Sequence, residues 1–346
     1  PRRSRRFRRT TIYGDKMKTE IREISEESLS LAREILGRSG VVAFPTETVY
    51  GLGAIATNEE AVREIYRVKG RPADNPLIAH VYPGYDLERL VKIGHRYVLD
   101  LLGRYTPGPL TMVFESRGVV SSVATCGGDT LAVRIPSHEG AQRFLRAVGS
   151  PVAAPSANVS KHVSPATGRH VYEDLNGKIP LILDGGPCSG GIESTVLDVT
   201  GDVPRILRAG LVTQEMIASV AGDCEVAKHL AGDRVRSPGV KYKHYAPSCE
   251  TVLFSEQELK QAQAYYDACA AQGGTPYFLC AGTVAESLRG NKLILGFTPE
   301  EIAEHLYEKL REGEKCATCL IAVRLPDKGG IYDGISNRLN KACSRS

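Results

Sequence analysis

Tryptophan is absent from the 346 residues, and that says nothing about function. Other absences say more. No apolar run approaches the roughly 18 residues that a membrane-spanning helix needs, so no membrane partner is expected. There is no GxxxxGK[ST] phosphate loop and no GxGxxG following a strand. HExxH and GxSxG are missing too. A nucleotide, if one binds, must be held without a glycine loop. That leaves discrete cations, hydroxyls and helix N-termini. Cysteine is present nine times, at irregular spacing and in an odd number. Cys316 and Cys319 make a lone CxxC with no second pair, which argues against a zinc site. Reduced thiols in a cytoplasmic protein are expected.

What is present is an ordinary globular composition, 42% hydrophobic and 24% charged, with a net charge of +4. The charge is uneven: six arginines fall in the first nine residues, PRRSRRFRR. The arm reads as a disordered tail or an extension ahead of a start at Met17, or as a basic arm for nucleic acid. No apolar segment follows it, so it is not read as a signal peptide. The length suggests two domains.

Along the chain, apolar spacing predicts a helix over 26–38, a buried strand at VVAFP, and a helix from Asn58 to about Val68 with Asn58 as N-cap. PLIAHV (76–81), TMVFES, LAVRIP, PVAAP, LILDGG, STVLDVT and PRILRAG read as strands, with helical patterns at 86–103 and 139–148. The mixture suggests an α+β layout with a large mixed sheet. After an irregular stretch rich in Pro, Gly and basic or aromatic residues, strand and helix alternate, with helices at 255–272 and 298–312. That pattern suggests a small parallel α/β domain. The expected division is a basic arm over 1–16, a first domain over 17–215, a linker over 216–247 and a second domain over 248–346.

Five constellations can carry chemistry. Lys69-Gly-Arg71-Pro-Ala-Asp-Asn75-Pro holds two cations on a stiff loop, suited to phosphates or to a solvated turn. Ala154-Pro-Ser156-Ala-Asn158-Val-Ser160 places a hydroxyl and an amide at alternate positions past a strand, as ligands or as turn caps. Pro45-Thr46-Glu47-Thr48-Val-Tyr50-Gly51 is a loop a ligand can approach, or a tight turn. Arg134 lies inside the apolar strand LAVRIP, where an unpaired cation is costly; either a protein carboxylate or a ligand carboxylate must pair with it. Gly190-Gly-Ile-Glu193-Ser194-Thr brings a carboxylate and hydroxyls into a strand, and Arg208 again sits among apolar neighbours. His80 ends its strand and reads first as a core histidine.

Taken in order, FPTETVYGLG (44–53), KGRPADNPL (69–77), TPGPLT (106–111), LAVRIP (131–136), APSAN (154–158), SPAT (164–167) and GIESTV (191–196) resemble the threonylcarbamoyl-AMP synthase family of YrdC-type enzymes. SPGVKYKHYAP (237–247) resembles the linker of its two-domain form, and GISNRLNKAC resembles part of the C-terminal domain. The resemblance covers about residues 18–343. It implies a YrdC-like α/β core with a twisted sheet and a positively charged cavity, and a smaller Rossmann-like α/β domain. It implies a nucleotidyltransferase that joins L-threonine, bicarbonate and ATP into L-threonylcarbamoyl-AMP and pyrophosphate. Mg²⁺ would arrive with ATP, and the protein itself would supply no metal site. A downstream threonylcarbamoyltransferase machinery would modify position 37 of tRNA, and direct tRNA contact is left open. By this resemblance Lys69, Arg71, Ser156 and Asn158 form the catalytic tetrad. Arg71, Asn75, Thr130, Ser156, Ser164, Arg208 and Tyr245 would hold ATP. Thr48, His80, Arg134, Ala154 and Ser194 would hold threonine. Where the family has Gly after SANxS, this chain has Lys161, followed by His162.

Two alternatives remain. A double-stranded RNA-binding module would use the basic cavity and arm, with a steep salt dependence. The motifs, however, mix hydroxyl, amide and carboxylate with cations and offer no stacking array. A carbamoyl-transfer enzyme of the hydrogenase-maturation kind would need repeated CxxC pairs.

Overall fold

The computed structural model describes residues 17–227 and 245–343. The basic arm and most of the expected linker fall outside these residues. Among the described residues a 12-stranded mixed sheet forms the first domain. Its strands run in the order Glu20–Glu23, Leu181–Asp184, Val42–Phe44, Gly51–Ile55, Val152–Ala154, Ile78–His80, Thr130–Arg134, Leu110–Ser116, Thr195–Asp198, Arg205–Arg208 and Glu225–Val226. Val91–Lys92 pairs with Leu110–Ser116 off this path. The second domain is a four-stranded sheet in the order Glu250–Phe254, Cys319–Val323, Pro276–Cys280 and Lys292–Ile294, parallel throughout. No helix of the described residues is long and apolar enough to cross a membrane.

Local chemistry sets the elements that frame the site. Asn58 caps the helix Glu59–Lys69 by accepting from the Ala61 amide at 3.1 Å. Gly70, left-handed at φ 60°, ends the helix, so Lys69 sits in its last turn. In the strand Thr130–Arg134, alternation sends Leu131 and Val133 into the main core and Ala132 and Arg134 to the opposite face.

Several elements differ from the sequence-based expectation. The pattern over 86–103 is not one helix: a short 3-10 turn at Leu87–Arg89, the strand Val91–Lys92 and the helix Arg96–Tyr105 share it. Gly94 interrupts the run, and Val91 finds a strand partner in Ser116. The helix Gly168–Leu175 arises where only a loop was expected; Thr167 caps it by accepting from the His170 amide. The helix Gln214–Ala221 and the strand Glu225–Val226 occupy the start of the expected linker, the latter extending the large sheet beside Arg205–Arg208. A terminal helix, Ile331–Ala342, closes the second domain.

Candidate active site

Cross-strand register assembles the site on one face of the large sheet. His80 pairs with Arg134, Arg134 with Thr111, Thr111 with Val196, and Val196 with Arg208. Directly opposed residues share a face, so His80, Arg134 and Arg208 stand in one row. The alternating partners Ala79, Val133, Met112, Leu197 and Ile206 face the core behind it. A cavity opens over this row. It is lined by Thr46, Arg71, His80, Arg134, Ala154, Ser156, Asn158, Ser164, Glu193, Ser194, Arg208 and Tyr245, with apolar Val49 and Ile78 among them.

Two cations keep donors in reserve. Arg134 is buried and donates through NH2 to Glu47 Oε1 at 2.8 Å, so a protein carboxylate does pair with it. Glu47 also accepts from the Ser137 amide at 3.1 Å. The Nε of Arg134, the Nε of Arg71 and Oδ1 of Asn75 are buried without a hydrogen-bond partner among the described residues. Such orphans are rare in folded proteins and mark groups waiting for a ligand or water. Arg71 donates through NH2 only to main-chain carbonyls, Asn75 O at 3.2 Å and Pro76 O at 3.5 Å. Burial lowers its pKa, yet a guanidinium remains charged.

His80 is neutral in this setting. Burial, with the nearby Arg134 charge, pushes its pKa down to about 3, and Nδ1 lies 3.1 Å from Ile78 O. It therefore offers the cavity a dipole and no charge. Thr46 and Thr48 hydroxyls lie 2.8 Å apart, and Thr46 also donates to Val49 O at 2.6 Å. Ser194 Oγ is 2.8 Å from Thr111 Oγ1. Arg208 donates to the Ser194 carbonyl from Nε at 3.1 Å and from NH2 at 3.0 Å.

The Ser156–Asn158 turn is held from beneath. Lys69 Nζ donates to Ser156 O at 2.6 Å, to Asn158 O, and to Asn158 Oδ1 at 3.3 Å. An ammonium has three donors, and these three acceptors use them. Ser156 Oγ donates to Asn158 Oδ1 at 2.5 Å, and Asn158 Nδ2 donates to His162 O at 2.7 Å. Lys161 has φ 74°, the left-handed region that favours glycine, which accounts in backbone terms for the glycine expected there.

The structure thus brings Arg71, His80, Arg134, Ala154, Ser156, Asn158, Ser164, Ser194, Arg208 and Tyr245 to one cavity. Four expected residues are absent from its lining. Lys69 lies under the Ser156–Asn158 turn, acting on it instead of facing the cavity. Thr48 is fully buried behind Thr46. Asn75 packs beside Arg71. Thr130 opens its strand opposite Glu115, four residues before Arg134 and about 13 Å along the strand at ~3.3 Å per residue.

Glu193, singled out in sequence as the carboxylate of the Gly190–Thr195 turn but assigned to no substrate, joins the cavity wall. Its carboxylate accepts from Ser164 Oγ at 2.7 Å, and also from two residues of the second domain, Tyr307 and Arg338. The signal for that was present: both residues fall within the buried stripes of amphipathic helices, Pro299–Cys316 and Ile331–Ala342. A buried Arg among Ile335, Leu339 and Ala342 needs a carboxylate somewhere.

Fold and cavity define a class: an α/β protein whose cavity presents discrete guanidinium, hydroxyl and amide groups, with no glycine-rich phosphate loop in the sequence. Comparison with known proteins makes the class specific. Residues 34–210 match the Sua5/YciO/YrdC family, described as "Telomere recombination", and residues 212–344 match the family described as "Threonylcarbamoyl-AMP synthase, C-terminal domain". The threonylcarbamoyl-AMP synthase of Pyrococcus abyssi is 39% identical over 92% of this chain and 95% of its own length. That of Bacillus subtilis is 38% identical over 92% of this chain and 93% of its own length. A crystal structure of P. abyssi Sua5 complexed with L-threonine superposes with a TM-score of 0.86, covering 94% of this chain and 97% of the other at 38% identity. The chain belongs to the threonylcarbamoyl-AMP synthase family.

Proposed function

We propose that this enzyme makes L-threonylcarbamoyl-AMP and pyrophosphate from L-threonine, bicarbonate and ATP, feeding the threonylcarbamoyladenosine modification of tRNA. The observation that carries it is the buried row His80–Arg134–Arg208 with unsatisfied guanidinium donors at Arg134 and Arg71, in a chain of this family. Threonine's amine and bicarbonate give a carbamate and water; the carbamate oxygen attacks the α-phosphorus, and pyrophosphate leaves. Two anions must meet, and charge repulsion opposes that. Arg71 and Arg208 offset the phosphate charge, with Ser156, Asn158 and Ser164 as neutral donors. Arg134 turns its spare Nε toward the amino-acid carboxylate, beside neutral His80, Ser194 and the Ala154 backbone. No step needs a protein nucleophile; positioning and electrostatics suffice.

Mg²⁺ is expected to enter with ATP. The described residues contain no cluster of three or more His, Cys, Asp or Glu side chains arranged for a metal. The hydroxyl and amide oxygens of Ser156 and Asn158 are hard neutral donors that fit an ion held chiefly by phosphates. The product is expected to pass to a threonylcarbamoyl transferase in the cytoplasm. The test is pyrophosphate release by purified protein with Mg²⁺, bicarbonate and each amino acid in turn. Release that requires threonine and bicarbonate together, and that collapses in Arg71→Ala, supports the assignment. Folded, ATP-binding protein with no threonine-dependent turnover overturns it.

A further inference from the structure

The wall of the cavity at Glu193 is built by both domains. Ser164 of the first domain donates to Oε1 at 2.7 Å. Tyr307, from the helix Pro299–Cys316, donates to Oε2 at 2.7 Å. Arg338, from the helix Ile331–Ala342, donates through Nε to Oε2 at 3.1 Å and through NH2 to the main-chain carbonyl of Glu193 at 3.2 Å. The same guanidinium donates through NH1 to the carbonyl of Ala209. One side chain therefore ties together the two strand ends that carry Ser194 and Arg208. The backbones meet closely enough to support this: a Cβ on Gly334 would lie 3.1 Å from the Gly210 Cα. Tyr307 also stacks on Tyr245, with ring centroids 5.3 Å apart.

We infer that Arg338 and Tyr307 are positioning residues for the reaction: from the second domain they fix the Glu193 carboxylate, and through it the Ser164 hydroxyl and the Arg208 segment that face the nucleotide. Among the described residues of the first domain, Ser164 and the charge of Arg208 support the Glu193 carboxylate. A carboxylate buried with so little support turns away or takes a proton, and the Ser164 hydroxyl then loses its acceptor. The second domain is thereby a structural part of the active site. This inference rests on the function proposed above.

The charges around Glu193 decide the pH behaviour. Arg338, Arg208 and Lys341 are the nearby cations, and Tyr307 and Tyr245 the nearby phenols. Burial pushes the Glu193 pKa up, but Arg338 first and then Arg208 outweigh it and hold it at about 2. Without Arg338, burial regains ground and the pKa rises. Activity that needs the ionised carboxylate then fails at a higher pH than in the wild type.

The experiment compares wild type with Arg338→Met, Arg338→Lys and Tyr307→Phe in the full chain. It reads ATP binding by calorimetry, pyrophosphate release against pH, and thermal unfolding. Loss of a hydrogen bond to a charged group predicts that Arg338→Met lowers kcat/KM for ATP about tenfold or more. Its acid limb moves to higher pH, because the Glu193 carboxyl loses the cation that most lowers its pKa. Arg338→Lys restores part of both, and Tyr307→Phe shows a smaller change in the same direction. Wild-type ATP affinity and an unshifted pH profile in folded Arg338→Lys and Tyr307→Phe would overturn the inference, even if Arg338→Met fails to fold. An inactive wild type would instead sink the proposed function, and ATP binding by the variants would still decide the role of Arg338.

Discussion

At the scale of single residues, the site is a set of side chains whose partners decide what each can do. Arg134 is committed to Glu47 by one donor and keeps another in reserve. Arg134→Ala is therefore expected to raise the KM for threonine about tenfold or more while changing ATP binding little. Arg134→Lys should not restore it, since an ammonium cannot hold Glu47 and a second carboxylate in one planar fork. Steady-state pyrophosphate release with each substrate varied checks this; equal losses for both substrates would contradict the assignment. Lys161 gives a second test. Its φ of 74° is strained for a side-chain-bearing residue, so Lys161→Gly is expected to leave stability unchanged or raise it by up to about 1 kcal/mol. Denaturant unfolding measures it, and a clear loss would show that the Lys161 side chain does more than occupy the turn. Arg134 was legible from sequence because a cation in an alternating apolar strand must face something other than the core. Lys69 was not: its spacing from Arg71 suggests a paired phosphate clamp, but spacing carries no direction, and the ammonium turns to the Ser156–Asn158 carbonyls instead.

At the scale of elements, strongly periodic or capped segments were readable and interrupted ones were not. Asn58 ahead of an amphipathic run announced its helix, and the strands around Ile78 and Val133 were legible as short buried apolar runs. The helix Gly168–Leu175 escaped because it is short and its apolar contacts, from Val171, Leu175 and half-buried Tyr172, follow a loop of turn-forming residues. That helix matters: with the Gly190–Gly191 turn it forms the surface on which the second domain rests. A Cβ on Gly191 would lie 2.2 Å from the Ala303 carbonyl, and its φ is 67°. Gly191→Ala is thus expected to destabilise the contact between turn and helix Pro299–Cys316 by at least about 2 kcal/mol, from left-handed strain and a backbone clash together. The readout is faster proteolysis between the domains with the first domain's strands still protected from hydrogen exchange. Unchanged cleavage would mean that the turn has another conformation to adopt.

At the scale of the molecule, a partly buried ionic cluster joins the two domains beside the site. The His162 ring lies 3.0 Å from Asp174 and 2.9 Å from Glu314, on opposite sides of the domain boundary. Arg311 donates to both oxygens of Asp174 at 3.0 Å and to the Val163 carbonyl. Lys315 pairs with Glu173 at its rim at 2.8 Å. The hydrogen bonds to Asp174 and Glu314 raise the His162 pKa to about 9. Burial opposes ionisation of Asp174 and Glu314, but His162, with Arg311 at Asp174 and Ser248 at Glu314, outweighs it and holds both at about 2. The sign follows from comparison with the unfolded chain. A histidine raised above its unfolded value of about 6.5 contributes fully below that pH and loses its contribution as pH rises through about 9. The carboxylates contribute fully above about 4.5 and lose that as pH falls toward 2. The cluster's own contribution is therefore greatest between about pH 4.5 and 6.5. Buried neutral His80 and His170, held at about 3 and about 4, lose stability as pH falls below about 6.5. The whole protein should thus be most stable near about pH 6.5 and lose on the order of 1–3 kcal/mol up to about pH 9.5, allowing for the partial exposure of the His162 ring. His162→Gln keeps a neutral hydrogen-bonding group and removes the titration, so its alkaline decline should flatten. Unfolding of both proteins by denaturant across pH 5–9.5 reads this directly. A wild-type curve that stays level from pH 6.5 to 9.5, or a His162→Gln curve parallel to it, would mean that the imidazolium does not join the domains and that Arg311 and Lys315 hold them without it.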